Sequence, residues 1–255
     1  MPNSLELVAL EALPLVRPGD DLAALLIAAC ERGRIAPGAG DVLVVAQKIV
    51  SKAEGRYADL AAVVPSPEAE RLARATEKDA RLVELILRES RRVVRSRPGV
   101  VIVEHRLGHV MANAGIDRSN VDPGAGAEPV LLLPLDPDAS AEALRARLAA
   151  RFGGGAGVIV SDSFGRAWRR GTVGIALGAA GLPALVDLRG RADLYGRPLR
   201  VSEQGFADEI AAAASLLMGQ ADERAPAVLV RGLAWSAPPS PATALLRAAA
   251  EDLFR

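Results

Sequence analysis

The chain has 255 residues, half of them hydrophobic and 24% charged, so it can bury a substantial core. Its 31 basic and 31 acidic residues balance to a formal net charge of zero, and aromatic residues make up only 3%. This composition argues against broad binding to nucleic acids or to anionic membranes. The single cysteine, Cys30, excludes an internal disulfide framework and a zinc site built from thiolates.

The start of the chain lacks the basic region of a secretory signal and carries an acidic residue, Glu6. No run of eighteen uncharged apolar residues follows, so we expect no segment that spans a membrane. These features predict a cytoplasmic globular protein.

In the first half of the chain, helices and strands alternate at irregular spacing. Apolar patterning predicts strands at residues 5–10, 42–46, 100–104, 106–111 and 130–133. A helix capped by Asp20 is predicted to end at Gly33, and a second helix to run from Ser66 to about Ser90.

The second half continues this pattern without a low-complexity linker. Helices are predicted from Ser140 to Phe152, over 207–218, and from Ser240-Pro241 onward; strands are predicted at 157–161, 184–188, 199–202 and 227–230. Because the spacing lacks the regularity of a doubly wound sheet, we predict an α+β fold with mixed β-sheets and flanking helices. Residues 1–255 are expected to form a single domain.

A charged segment follows the buried strand at residues 157–161. Asp162 stands just past this strand with Ser163 beside it, and Arg166, Arg169 and Arg170 come next. A rigidly placed carboxylate suits Mg²⁺ or Mn²⁺, a hydroxyl can add a ligand, and arginines can neutralise phosphate oxygens. A capped turn with solvated arginines explains the same residues equally well.

Three further segments carry groups suited to a metal–nucleotide site. Asp117, in the loop at 113–120, can share a metal with Asp162, Lys48 and Lys52 can reach a triphosphate, and Glu203 can be a third metal ligand. Each also has an ordinary interpretation, respectively an Asx turn, solvated lysines and a helix cap. The familiar GxxxxGK[ST] and GxGxxG phosphate loops are absent from the sequence, and His105 and His109 are assigned no role.

Four blocks, in this order, resemble the coenzyme F420-0:L-glutamate ligase family: residues 48–56, 114–120, 162–169 and 207–213. The resemblance runs from Leu13 to Gly232. It implies GTP-dependent addition of one or more γ-linked L-glutamates to coenzyme F420-0 through an acyl phosphate. It also implies two divalent cations (Mg²⁺ or Mn²⁺), a K⁺ ion, and an intertwined homodimer with two interlocked subdomains. The carboxy-terminal flavin-type domain of some relatives is expected to be absent.

The resemblance also assigns residues to roles. Metal ligands are expected at Asp117, Asp162, Ser163 and Glu203. Nucleotide contacts are expected at Leu13, Pro14, Leu15, Val16, Gln47, Lys52, Asn120, Ser202, Glu203, Gln204, Gly205, Phe206, Ala207, Asp208 and Glu209. Catalytic electrostatic stabilisation is assigned to Lys52, Arg166 and Arg169. The sequence departs from the family at Gln47, where some relatives have serine, and at residues 103–106.

Two other functions remain open on the residues alone. A different amide ligase or phosphotransferase can use the same metal–nucleotide site. A nucleotide-binding regulatory protein without turnover can carry the same clustered charges.

Overall fold

The computed structural model of the protein describes residues 4–121, 124 and 126–252. The helices are α1 Leu22–Arg32, α2 Gln47–Ala53, α3 Pro67–Thr76, α4 Ala80–Arg88, α5 Pro137–Phe152 and α6 Phe206–Met218. The strands are β1 Glu6–Ala9, β2 Val42–Ala46, β3 Tyr57–Asp59, β4 Ser90–Arg97, β5 Val100–His105, β6 Val110–Ala112, β7 Pro129–Leu131, β8 Gly157–Arg166, β9 Arg169–Ala180, β10 Val186–Asp187, β11 Glu203–Gln204 and β12 Ala227–Arg231.

A central sheet in the order β1-β12-β2-β8-β9 organises the molecule. β2 and β8 run parallel, and the other neighbours run antiparallel, so the sheet is mixed. Helices α1, α2 and α5 cover one face and α6 covers the other. β2 and β12 are uninterrupted apolar runs because both of their faces are buried beneath these helices.

Residues 57–133, here called the insert, leave the central sheet after α2 and return to it before α5. The insert contains the two-stranded sheet β3-β7, the three-stranded sheet β4-β5-β6, and helices α3 and α4, around a core of its own. It contacts the central sheet where Met111 and Leu133 pack against Phe164 and Leu177. The predicted α+β class with mixed sheets and flanking helices is confirmed.

Several predicted helix boundaries were wrong for identifiable reasons. The helix expected from Ser66 to Ser90 is two helices, because Glu77 adopts a left-handed conformation (φ 55°) and Asp79 caps a new helix. Asp21 rather than Asp20 caps α1 by accepting from Ala24 N. Asp136, not Ser140, caps α5, since its carboxylate accepts from Ala139 N.

The largest difference concerns the segment around Asp162. β8 does not end at Ser161 but continues to Arg166, where it turns into β9. The antiparallel partner β9 satisfies the backbone of residues 162–166, so polar side chains there do not mark the end of the strand. The strand expected at 184–188 shrinks to β10. The strand expected at 199–202 was wrong, since those residues form no strand and β11 begins after them at Glu203. The strand expected at 106–111 is β6 at Val110–Ala112, and the expected final helix is a 3₁₀ turn at Ala242–Leu245.

Among the described residues, no helix has both the length and the hydrophobicity that crossing a bilayer requires.

Candidate functional site

The candidate site forms at the edge of the central sheet where β2 ends. Ala46, the last residue of β2, pairs with Ser161 of the parallel strand β8. The first residue of α2, Gln47, therefore lies beside Asp162, the next residue of β8. Parallel strands bring their carboxyl ends to one edge of a sheet, which is where α/β proteins commonly bind ligands.

Asp117 reaches this edge from the insert. It follows a 3₁₀ turn at Asn113–Gly115 and forms a bridge with Leu131 at the end of β7. The two residues exchange backbone hydrogen bonds, each N–H donating to the other carbonyl at 2.9 Å. The backbone of Asp117 is thus fixed to a strand, although the residue lies in a loop of the sequence.

Two side chains of α2 hold the carboxylate of Asp117. Lys48 Nζ lies 2.9 Å from Asp117 Oδ2, and Gln47 Nε2 donates to the same oxygen at 3.2 Å. Gln47 also donates a hydrogen bond to Asp162, and Ser51 Oγ donates to Gln47 Oε1 at 3.0 Å. The bond from Ser51 fixes the orientation of the Gln47 amide, so its N–H groups face both carboxylates.

The two carboxylates repel each other. Burial raises the pKa of Asp162 to about 7, and the negative charge of Asp117 adds to this rise. The positive charge of Lys48 and hydrogen bonds from Ser163 N–H and Gln47 oppose it without cancelling it. The pair therefore carries more negative charge than its surroundings compensate, which is a site that a cation stabilises.

The donor set at this pair fits a hard divalent cation. Mg²⁺ is usually held by one or two carboxylates, with the remaining positions filled by water and substrate phosphates. Asp117 and Asp162 supply such a carboxylate pair. Their convergence agrees with the sequence prediction that the two residues share a metal, and their role as ligands remains a prediction.

Ser163 and Glu203 are not gathered with this pair. Ser163 alternates with Asp162 along β8, so its side chain is on the opposite face of the strand. Its strand partner Gly174 is packed against Ala211 of α6, which identifies that face. Glu203 lies in β11, 3.4 Å from Arg189. Within residues 4–121, 124 and 126–252, no three acidic, histidine or cysteine side chains group as metal ligands.

The predicted catalytic cations occupy two different places. Lys52 is four residues after Lys48 on α2, so the two lysines share one face of the helix. Arg166 and Arg169 pair at the turn between β8 and β9, and Arg166 Nη2 donates to Arg170 O. Arg166 is four residues beyond Asp162, about 13 Å along the strand. The structure thus places Lys52 beside the site and carries the two arginines away from it.

The predicted nucleotide contacts are dispersed over several elements. Residues 13–16 form the loop before α1, which is attached to the end of α2 by a bond from Gly19 N to Ala53 O. Asn120 is exposed and donates to Ala221 O at 3.1 Å. Residues 202–209 include β11 and the first turn of α6, where Asp208 accepts from Ala176 N at 2.9 Å. Gln47 is buried and contacts the carboxylate pair directly.

Two contacts of the site were not predicted from the sequence. These are the ion pair between Lys48 and Asp117 and the hydrogen bond by which Ser51 orients Gln47. The sequence interpretation placed Lys48 after a strand and expected it to reach phosphates. Had residues 47–53 been interpreted as a helix, the four-residue spacing of Gln47 and Ser51 would have indicated their contact.

Comparison with known proteins shows which family the chain matches. The model of the F420-0:Gamma-glutamyl ligase family matches residues 11–232. The chain is 47% identical over 260 residues to the Coenzyme F420:L-glutamate ligase of Methanopyrus kandleri, covering 99% of this chain and 100% of that protein. The protein of the same name from Methanothermobacter thermautotrophicus is 48% identical over 231 residues, covering 91% and 90%. That of Archaeoglobus fulgidus is 46% identical over 228 residues, covering 89% and 88%.

Proposed function

Because the chain belongs to the F420-0:gamma-glutamyl ligase family and is therefore a ligase, we propose that it joins L-glutamate to coenzyme F420-0 at the expense of GTP. The observation that carries this proposal is the convergence of Asp117 and Asp162 beside Gln47 and Lys48. This arrangement suits a metal-bound triphosphate, which an amide ligase needs for activation of its acid.

The proposed reaction has two steps. A carboxylate does not condense with an amine at neutral pH, so the γ-phosphoryl group of GTP is first transferred to the carboxylate of F420-0, releasing GDP. The glutamate amine then attacks the acyl phosphate, loses a proton and expels inorganic phosphate, which leaves an amide. Repetition would add further γ-linked glutamates.

The residues of the site have distinct parts in this scheme. Asp117 and Asp162 would hold Mg²⁺ or Mn²⁺, which when bound neutralises charge on the phosphate oxygens. Lys48 is placed to exchange its contact with Asp117 for a phosphate oxygen, since a metal would take over the carboxylate. Gln47 would keep the two carboxylates in place, and Lys52 would add positive charge from the next turn of α2.

The remaining assignments are proposed on the family resemblance. Ser163 and Glu203 would contact a second divalent cation, and a K⁺ ion would bind nearby. From the turn between β8 and β9, Arg166 and Arg169 would supply positive charge to phosphate oxygens or carboxylates of the substrates that extend beyond the carboxylate pair. Residues 13–16, Asn120 and residues 202–209 would contact the nucleotide.

We also propose a homodimer with interlocked subunits. Large apolar side chains are exposed in two segments, the turn between β8 and β9 and the region between β10 and β11. Trp168 is 81% exposed, Tyr195 86%, Val201 86% and Leu194 100%. A partner subunit would cover such side chains, which soluble proteins seldom leave exposed in a cluster.

The activity is tested by incubating the purified protein with F420-0, L-glutamate, GTP and Mn²⁺ and measuring the mass of the product by mass spectrometry. We expect a mass gain of one or more glutamyl units, together with GDP and phosphate, and no gain when GTP or metal is omitted. The same preparation should elute as a dimer in size-exclusion chromatography with light scattering. A glutamyl product without nucleotide would contradict the mechanism, and a product on another acceptor only would support a different amide ligase.

A further inference from the structure

The insert is joined to the central sheet by two connections that lie side by side. The first, residues 54–56, follows α2, and the second, residues 134–136, precedes α5. Leu132 N donates to Arg56 O at 2.9 Å, and Leu135 N donates to Glu54 Oε2 at 3.1 Å. Any rotation of the insert relative to the sheet must therefore bend both connections at this one place.

A partly buried carboxylate lies beside these two connections. Glu89 Oε2 is 3.0 Å from Arg56 Nη2, 3.1 Å from Arg106 Nε and 3.5 Å from His105 Nε2. We call these four residues the Glu89 cluster. It joins the end of α4, the turn between β5 and β6, and the first connection.

The same arginines extend the cluster to the second connection. Arg56 Nε donates to Leu133 O at 2.8 Å, while Arg106 donates from Nη1 to Leu135 O at 3.0 Å and from Nη2 to Pro134 O at 3.3 Å. Glu89 thus orients two guanidinium groups whose other N–H groups fix the backbone of the returning chain.

Glu89 remains ionised in this environment. Its side chain is 13% exposed, and burial alone would favour the neutral acid. The nearby imidazole of His105 and the guanidinium groups of Arg106 and Arg56 outweigh burial and lower the pKa of Glu89 to about 2. A neutral side chain here would leave the partly buried guanidinium groups of Arg56 and Arg106 without this counter-charge.

The candidate site straddles the two parts that these connections join. Asp117 belongs to the insert, whereas Asp162, Gln47 and Lys48 belong to the central sheet and α2. We infer that Glu89 is a positioning residue, which sets the angle of the insert and so brings Asp117 against Asp162. The inference rests on the proposed metal-dependent ligase activity. Glu89 contacts Arg56, His105 and Arg106 rather than the carboxylate pair, so it acts through the connections.

The test compares Glu89→Gln with Glu84→Gln. Glu84 is a buried glutamate of α4 that, like Glu89, has an arginine partner; it accepts from Ser66 N at 2.9 Å and from Arg88 Nε at 2.8 Å. Its partners all lie within the insert, so its loss should lower stability without changing the angle of the insert. Arg106→Lys is a second variant, which retains the charge but cannot bridge Glu89 and two carbonyls.

Three measurements are made at a temperature where circular dichroism shows each variant folded: Mn²⁺ binding by calorimetry in the presence of GDP, kcat at saturating metal, and hydrogen exchange at residues 132–136. For Glu89→Gln and Arg106→Lys we expect faster exchange, weaker Mn²⁺ binding and a kcat lowered by roughly 10- to 100-fold, because a shift of about 1 Å costs that much. Glu84→Gln should match the wild type in all three.

The outcomes separate this inference from the proposed function. If the wild type is an active, Mn²⁺-binding ligase and Glu89→Gln and Arg106→Lys retain its kcat and Mn²⁺ affinity, Glu89 is merely structural. An equal loss of kcat in Glu84→Gln would also overturn the positioning role. A wild type that neither binds Mn²⁺ nor forms product would refute the proposed function, and the inference would fall with it.

Discussion

Asp162 sits where a charged side chain is poorly compensated, because burial and the neighbouring carboxylate of Asp117 both oppose its ionisation. Asparagine has nearly the same shape and no charge. Asp162→Asn should therefore fold with a melting temperature at or above that of the wild type in the absence of metal. Its ligase rate should fall by roughly 10²–10³ or more, the usual loss when one preorganised charged group is removed from a site.

Thermal unfolding and the product-mass assay measure the two effects. Asp79→Asn is the matched control, since Asp79 caps α4 in the insert and asparagine caps helices equally well. That variant should keep full activity. An Asp162→Asn protein that melts well below the wild type, or that turns over at the wild-type rate, would contradict the role given to this carboxylate.

At the residue scale, the sequence identified both acids of the site but not their surroundings. Asp162 was found because it follows an apolar run, and Asp117 because it lies in a loop of small and polar residues. The bond from Gln47 to Asp117 joins residues 70 positions apart, and no local pattern encodes such a contact. Ser163 shows the opposite case, in which residues adjacent in sequence are separated in the fold. It follows Asp162 directly, and its side chain is therefore on the other face of the same strand.

At the scale of elements, β9 depends on glycine for its close approach to α5. A Cβ atom at Gly178 would overlap the carbonyl group of Pro137 at the start of the helix. Gly178→Ala should destabilise the protein by about 1–3 kcal/mol through overpacking, because both neighbours are backbone atoms that cannot move independently.

Urea unfolding of Gly178→Ala against Gly165→Ala tests this contact. Gly165 belongs to β8 of the same hairpin, but a Cβ atom there meets nothing within 4 Å. The Gly165 variant should stay within about 0.5 kcal/mol of the wild type, as surface substitutions usually do. Equal stabilities for the two variants would show that β9 and α5 can separate at little cost.

Elements with one strong pattern were predicted, and elements defined by their neighbours were not. β2, β12 and α6 were found from uninterrupted apolar runs or helical spacing. β4 was missed because its sequence, Ser90–Arg97, contains four arginines and has no continuous buried face. The break between α3 and α4 was missed because Glu77, rather than glycine, adopts the left-handed conformation.

At the scale of the whole molecule, His109 makes stability depend on pH. The side chain is 6% exposed, and burial together with the charge of His105 lowers its pKa to about 4, against the opposing influence of Asp138. The folded protein thus resists protonation that the unfolded chain accepts below pH 6.5. The stabilisation that His109 contributes should be complete above pH 6.5 and be lost as the pH drops toward 4, by on the order of 3 kcal/mol. Asp162, whose pKa is raised to about 7, acts in the opposite direction, because its protonation below that pH favours the folded state.

Urea midpoints measured between pH 7.5 and pH 4 in an Asp162→Asn background, which removes the opposing titration, reveal this loss. His109→Gln should be less sensitive to pH across the same interval, because glutamine does not titrate. The carboxyl of Glu89, whose pKa is lowered to about 2, stabilises the fold above pH 4.5 and loses this effect below it, so it contributes little in this window. An unaltered pH dependence in His109→Gln would assign the acid sensitivity to other groups.

The class of the fold was predictable as a whole, whereas its assembly was not. Irregular alternation of helices and strands predicted mixed sheets correctly. The parallel pairing of β2 with β8, which places Gln47 beside Asp162, joins strands more than 100 residues apart. Its register is decided by packing against α1, α2 and α5, and these contacts become visible only when the chain is folded.

The adjacency of the two connections also makes the protein modular. The chain leaves the central sheet close to the point where it returns, and the hydrogen bond from Leu132 N to Arg56 O joins the two segments. The strand order of the central sheet is therefore independent of the length of the insert. Loops within the insert can lengthen or shorten without any change in how the strands of the central sheet are connected. Segments of the insert distant from Asp117 can therefore change in length while the carboxylate pair and the sheet that supports it stay the same.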